Sequence, residues 1–222
     1  MPDKQIRPDF DAGAEFDRQL RTLIENGYPK AAGVAPETFA DLVGPLRTAA
    51  IAHGASVAPR EPGLAPFLLV VTREVVPIEE SMTLTTLHGR TEPGFVDHSF
   101  EPGSIERFVP TKEAELPDQR AYLLLDVDRG EEFCGVVPAD AMDTIRTRER
   151  TLLTMEEGIA FVTLFPDALA KNKCFSLAAS RCGDRRVPAI WISTRRPKLG
   201  WCWEGNPHTW LGMASAAGRI AA

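Results

Sequence analysis

Cys202 and His208 stand six residues apart near the end of a 222-residue chain, a spacing at which a thiol and an imidazole could approach each other. A neighbouring imidazole can take a thiol's proton, and the thiolate is the reactive form. Asn206 and Pro207 precede His208 directly. Asn is a preferred N-cap and Pro a preferred first helical residue, so the local code predicts a C-terminal helix that starts here and runs through the alanine-rich stretch to Gly218. His208 then falls in the first turn, where the positive end of the helix dipole disfavours imidazolium and holds the ring as a neutral base, donor or ligand. The same dipole would stabilise a Cys202 thiolate. Against this stands the commoner fate of a cysteine, which is inert packing.

Around the pair lie Trp191, Trp201, Trp203 and Trp210, with Arg195 and Arg196. Tryptophans supply apolar walls and arginines pair an acidic group, so these six with Asn206 form a candidate binding set for a small anionic or aromatic molecule. Spread over a convex surface, the same residues would instead be the hot spot of a non-catalytic binding or interaction module. Residues 174–180 and 187–194 read as two strands of a β-hairpin about the turn 181–186. One face carries Phe175, Leu177, Ile190 and Ile192, a core pattern; the other carries Cys174, Ser176, Ala178, Ala189, Trp191 and Ser193. That row of small residues either floors a ligand or lets a helix pack closely. After a turn at 195–197, Leu199, Trp201 and Trp203 alternate with Gly200, Cys202 and Glu204, as in a strand. Zinc shared by Cys174 and Cys182 fails on reach, since the strand between them spans about 26 Å. No metal site is assigned.

The elements that must position these groups are those of an α+β fold with N-terminal helices, a mixed or antiparallel sheet with β-hairpins, and the C-terminal helix. Residues 1–9 read as a loose tail, 10–56 as a helical segment and 67–222 as the α+β body, all one domain. Phe16, Leu20, Leu23 and Ile24 recur at helical spacing over 10–27, and a second helix starts at Pro36 and kinks at Pro45. Residues 57–66 read as a connection, 67–71 as a strand, and 121–127 with 133–137 as a hairpin about 128–130. Between these, residues 89–117 hold four prolines and three glycines, an irregular excursion of the kind that carries function or moves. Thr154 and Glu157 form a capping box that opens a helix from 155 to about 171.

Length and composition exclude several classes. A chain this long buries roughly 70 % of its unfolded surface and needs no disulfide or metal to fold. The longest apolar run, 64–71, is far short of the ~20 residues that cross a bilayer, and no apolar signal region opens the chain, so no membrane association and a cytoplasmic address are expected. Four cysteines without a CxxC pair read as reduced thiols. The net charge of −6 divides unevenly: residues 1–170 carry 16 basic and 29 acidic side chains, residues 171–222 carry 9 and 2. The basic end either folds against acidic neighbours or receives an anion; an extended nucleic-acid surface does not fit a pI near 5.3. Dinucleotide, P-loop, α/β-hydrolase and zincin motifs are all missing, so those readings lack their mechanism and the cofactor stays unknown. Asp126 and Asp128 do not extend into an EF-hand, because Val137 stands where the bidentate glutamate belongs.

The runs KNKCFSLAASRCGDRRVPAIWIS (171–193) and PKLGWCWEGNPHTWLGMASAAGR (197–219) resemble an uncharacterised family of mainly actinobacterial proteins carried under a domain-of-unknown-function label. FLLVVTREVVP, AYLLLDVDRGEEFCGV and TMEEGIAFVTLFP extend the resemblance over most of residues 15–219. It implies membership and no activity, since no catalytic residue, substrate or cofactor comes with it. The substrate, the reaction class and the oligomeric state stay open, with a small-molecule enzyme or accessory protein and a non-catalytic module as the two readings.

Overall fold

A computed structural model describes residues 10–54 and 62–222; the tail expected over 1–9 and residues 57–61 of the expected connection lie outside them. The stripe of Phe16, Leu20, Leu23 and Ile24 forms helix α1 (Ala12–Glu25), whose first turn is capped by Asp11 accepting from the Ala14 amide at 2.9 Å. A single turn, α2 (Tyr28–Ala31), follows. The helix expected from Pro36 is two, α3 (Pro36–Val43) and α4 (Leu46–Gly54), because Pro45 has no amide hydrogen to continue the ladder.

Strands β1 (Leu64–Val71) and β4 (Ala121–Asp128) pair antiparallel, from Leu64 opposite Asp128 to Val71 opposite Ala121. Seven consecutive residues of β1 are buried, so both of its faces are covered; α1, α4 and α7 (Met155–Leu164) all pack against it. The outer edge of β1 is closed by a side chain rather than a strand. Gln19 of α1, fully buried, donates from Nε2 to the Phe67 carbonyl at 2.9 Å and accepts from the Leu69 amide at 2.8 Å, the two bonds a neighbouring strand would make.

Every residue of α7 is buried, which is the signature of a helix that serves as core. Its capping box forms as expected: Thr154 accepts from the Glu157 amide and Glu157 accepts from the Thr154 amide at 2.7 Å. The helix ends at Leu164, before the bend expected at Pro166. On its far side lies the second sheet, in the order β10 (Leu211–Met213), β6 (Cys174–Ser176), β8 (Arg186–Ser193), β9 (Arg196–Trp203), β2 (Phe95–Val96). β6 pairs with β8 as the hairpin reading expects, but with Phe175 opposite Ile190, two residues off pairing symmetric about 181–186, and the strand stops at Ser176 rather than Ser180; the chain then leaves through β7 (Ser180–Arg181) to meet β3 (Val109–Pro110).

Two expectations are corrected. Residues 121–137 do not form a hairpin: Gly130 adopts a left-handed φ of 70°, residues 131–133 make a 3-10 turn, and α6 (Pro138–Thr147) follows. Nor does a helix start at Asn206. Residues 211–220 form β10, β11 (Ser215–Ala216) and β12 (Gly218–Ile220), with β11 and β12 both pairing with β4, and β11 also with β5 (Thr151–Leu152). The edges of β6 and β4 offer unpaired backbone groups, and strands there, β10 on β6 and β11 and β12 on β4, satisfy them while burying Met213, Ala214 and Ala216; that outweighs the helix preference of an alanine-rich segment. No helix among the described residues is long and apolar enough to cross a membrane.

Candidate functional site

The C-terminal candidates sit on the β8–β9 hairpin and the loop after it. The hairpin turns on Thr194 and Arg195, whose φ values of 49° and 61° are those of a tight two-residue turn. From that turn the register follows: Trp191 opposite Lys198, Val187 opposite Cys202, Pro188 opposite Trp201, Arg186 opposite Trp203. Opposed residues share a face and successive ones alternate, so Trp191, Gly200 and Cys202 lie on one face and Trp201 and Trp203 on the other.

On the first face the Trp191 ring lies over Gly200, where any Cβ would collide with it. Trp210 packs on Trp191 at 6.1 Å between centroids, and His208 on Trp210 at 5.1 Å. Lys198 stands 5.2 Å over Trp191 and ion-pairs with Asp97. Burial pushes the Asp97 carboxyl up, but hydrogen bonds from Lys198 and Ser99 outweigh it and hold the group down at about 2. On the second face Trp201 and Trp203 meet edge to face at 5.1 Å, with the Arg186 guanidinium between Trp201 and Phe108. Arg196 stacks on Phe95 at 4.5 Å, while Arg195 at the turn and Asn206 in the loop are exposed.

Chemically, this set is less reactive than its composition. Burial alone pushes the Cys202 thiol up to about 11, so it is protonated at neutral pH. Among the described residues no hydrogen bond joins Cys202 to His208, and with no helix starting at Asn206 there is no dipole to act on either group. The basic end is neutralised where it folds: Glu204 accepts from Arg181 at 2.6 Å and Arg185 at 3.2 Å, and Asp184 pairs with Arg186 at 2.8 Å. Hydrogen bonding to Arg181 is the main reason the Glu204 carboxyl sits below its usual range. Ala178 of the small-residue row and its neighbour Ala179 pack with Ala141, Met142 and Ile145 of α6, the close helix contact such residues permit. No group of three His, Cys, Asp or Glu among the described residues is arranged to hold a metal ion.

The structure assembles a second constellation that the sequence reading missed. Where β1 ends and β4 begins, the Thr72 amide donates to the Arg120 carbonyl at 3.0 Å, and the Val75 and Val76 amides then bond back to the Thr72 carbonyl and turn the chain towards α5 (Ile78–Thr83). The first turn of α7 arrives at the same place. A cleft of about 270 Å³ opens between them, lined by Thr72, Arg73 and Glu74, by Pro110, by the lead-in to β4 from Leu116 to Arg120, and by Glu156. Arg73 Nε donates to Glu156 Oε1 at 2.5 Å, and the Glu156 side chain is only 7 % exposed. Six buried side-chain polar atoms among the described residues have no partner, and three of them belong to residues that line this cleft: Thr72 Oγ1, Arg73 Nη2 and Glu156 Oε2. Such atoms are rare in folded proteins, so three at one cavity mark it out.

The residue next to Glu156 is locked in place. Glu157 is fully buried and held by Tyr122 Oη at 2.8 Å and by Arg219 of β12 at 2.5 and 2.9 Å, which fixes the first turn of α7.

A family model, the family of unknown function DUF5701, matches residues 22–222. The chain belongs to that family. The DUF5701 match begins within α1 and takes in both sheets, the hairpin tryptophans and every residue of the cleft. No curated protein and no solved structure matches the chain. Within this DUF5701 chain, two signals for the cleft were present in the sequence: the proline-rich excursion, which supplies Pro110, Leu116 and Pro117, and the capping box, which fixes where α7 starts. Nothing in the sequence brings Arg73 to Glu156, 83 residues away.

Proposed function

We infer that the protein binds a small polar molecule in the cleft where β1, β4 and α7 meet, and that it works as a ligand-binding protein. The observation that carries this reading is the gathering of Thr72 Oγ1, Arg73 Nη2 and Glu156 Oε2, all buried and unpartnered, at one cavity. A buried polar atom without a partner costs about 1–3 kcal/mol, and a bound group that satisfies several of them recovers that cost. Nucleophilic catalysis at Cys202 is disfavoured by a thiol held at about 11. The reading takes residues 1–222 as one domain, supported by a hydrophobic cluster that runs from Phe16 through α7 to Ala216, and as cytoplasmic, supported by four free cysteines.

Native mass spectrometry of the purified protein beside Glu156→Ala tests it. A small molecule on the native chain, lost in the variant, is the expected result. Identical ligand-free spectra, with no member of a polar small-molecule library raising the melting temperature of the native chain, would sink the reading.

A second reading, an anionic or aromatic molecule on the C-terminal hairpin, is favoured by the Trp201 indole N–H, a buried donor without a partner. Quenching of tryptophan fluorescence by aromatic carboxylates, abolished in Trp201→Phe, is its expected mark; quenching that survives the substitution excludes it.

A further inference from the structure

An arginine and a carboxylate that meet side-on make two parallel hydrogen bonds, one from Nε and one from the terminal nitrogen on the same edge. Arg73 and Glu156 make only the first, at 2.5 Å. Arg73 Nη2 and Glu156 Oε2 are both buried and both unpartnered, so the pair stands as a half-closed fork with one donor and one acceptor left over, on two residues that line the cleft. Burying an ion pair is costly unless its remaining hydrogen-bonding positions are filled, and here the protein itself does not fill them.

We propose that the ligand of this cleft enters through an amide-type edge, one carbonyl oxygen beside one N–H, with the oxygen accepting from Arg73 Nη2 and the N–H donating to Glu156 Oε2. This rests on the reading of the cleft as a ligand site. The open fork selects among polar groups by complementarity. A carboxylate offers two acceptors and sets one of them against Glu156 Oε2; an amidinium offers two donors and sets one of them against Arg73 Nη2. An amide edge, as in a primary carboxamide or a lactam ring, matches both positions at once. Thr72 Oγ1, able to donate or accept, adds a third point, and Pro110, Leu116 and Pro117 give apolar wall to the rest of the molecule. The volume of about 270 Å³ suits a single small ring or the end of a longer molecule.

Benzamide, benzoate and benzamidine share one ring and differ only in this edge, so they make a direct test, with backbone amide shifts of Thr72, Arg73 and Glu156 as the reporters. Benzamide is expected to bind at least about ten-fold more tightly than either of the others, the factor expected when one buried hydrogen bond is replaced by a mismatch. Glu156→Gln is close to isosteric. With the carbonyl oxygen of the substituted side chain kept on Arg73 Nε, its amide nitrogen turns the open position from acceptor to donor, and preference should pass from benzamide to benzoate. Benzoate or benzamidine binding the native chain as well as benzamide, or a preference unmoved by Glu156→Gln, overturns the amide edge while leaving the cleft a ligand site. Shifts at those three residues from none of the probes overturn the amide edge and the cleft reading together.

Discussion

Arg219→Met tests how the C-terminal strand holds the start of α7. The Arg219 side chain is 3 % exposed and its partner Glu157 is fully buried. Three nitrogens of the guanidinium are engaged: Nε and Nη2 on the two Glu157 oxygens, Nη1 on the Ala114 carbonyl and Thr151 Oγ1, and Nη2 also on the Leu152 carbonyl. Methionine keeps most of the volume and none of the donors. It leaves the Glu157 carboxylate in the core with only Tyr122 and the Thr154 amide, and breaking one side of a buried pair in this way costs about 3–5 kcal/mol. For a chain of this size each kcal/mol moves the midpoint by about 2–4 °C, so a fall in melting temperature of roughly 10 °C is expected. Urea unfolding followed by circular dichroism measures the free energy directly. Glu157→Gln in the same chain should recover part of the loss, because it removes the stranded charge. A loss under about 1 kcal/mol for Arg219→Met, or a double variant as unstable as the sum of the two single ones, refutes the coupling.

Gln19→Met should destabilise by about 2–4 kcal/mol, since it leaves the Phe67 carbonyl and the Leu69 amide buried and unpaired, with faster hydrogen exchange at Leu69 as the local readout; unchanged protection there would show that the β1 edge is closed by other means. Asp97, held at about 2, has a folded pKa below the unfolded value of ~3.9, so its contribution with Lys198 is complete above the unfolded value and disappears as pH falls through about 4 to 2. The acid limb of a stability–pH curve should therefore flatten in Asp97→Asn, and an identical limb in the variant counts against the pair. Iodoacetamide should label Cys202 slowly at neutral pH and faster up to about 11; an inflection below pH 8 would mean that the thiol is activated after all.

Local chemistry was legible wherever neighbours in sequence are neighbours in space. The stripe of Phe16, Leu20, Leu23 and Ile24 marks α1, and Thr154 with Glu157 marks the start of α7, because both signals act within two turns of chain. The pairing of the Phe175 strand with the Ile190 strand was legible too, from two apolar runs around a polar turn. Alternation separated Trp201 and Trp203 from Gly200 and Cys202. It could not say which pair shares a face with Trp191, because that depends on the turn. With strand side chains repeating every two residues, a turn at Thr194–Arg195 decides it for the whole hairpin.

The end of the chain separates the two levels most clearly. By itself the sequence determined that residues 206–218 carry good helix-starting and helix-forming types, that Cys202 lies in a strand, and that the basic charge is concentrated after residue 170. Tertiary structure decided that this same stretch is β10 to β12, because the backbone along the open edges of β6 and β4 gains partners only from strands, β10 on β6 and β11 and β12 on β4. It also decided that the basic charge is spent on Glu204, Asp184, Asp97, Glu131 and Glu157. The Thr72–Arg73–Glu156 cleft belongs wholly to that second level. Its polar groups become unusual only through burial without partners, a property of the packed chain that no spacing of residue types encodes.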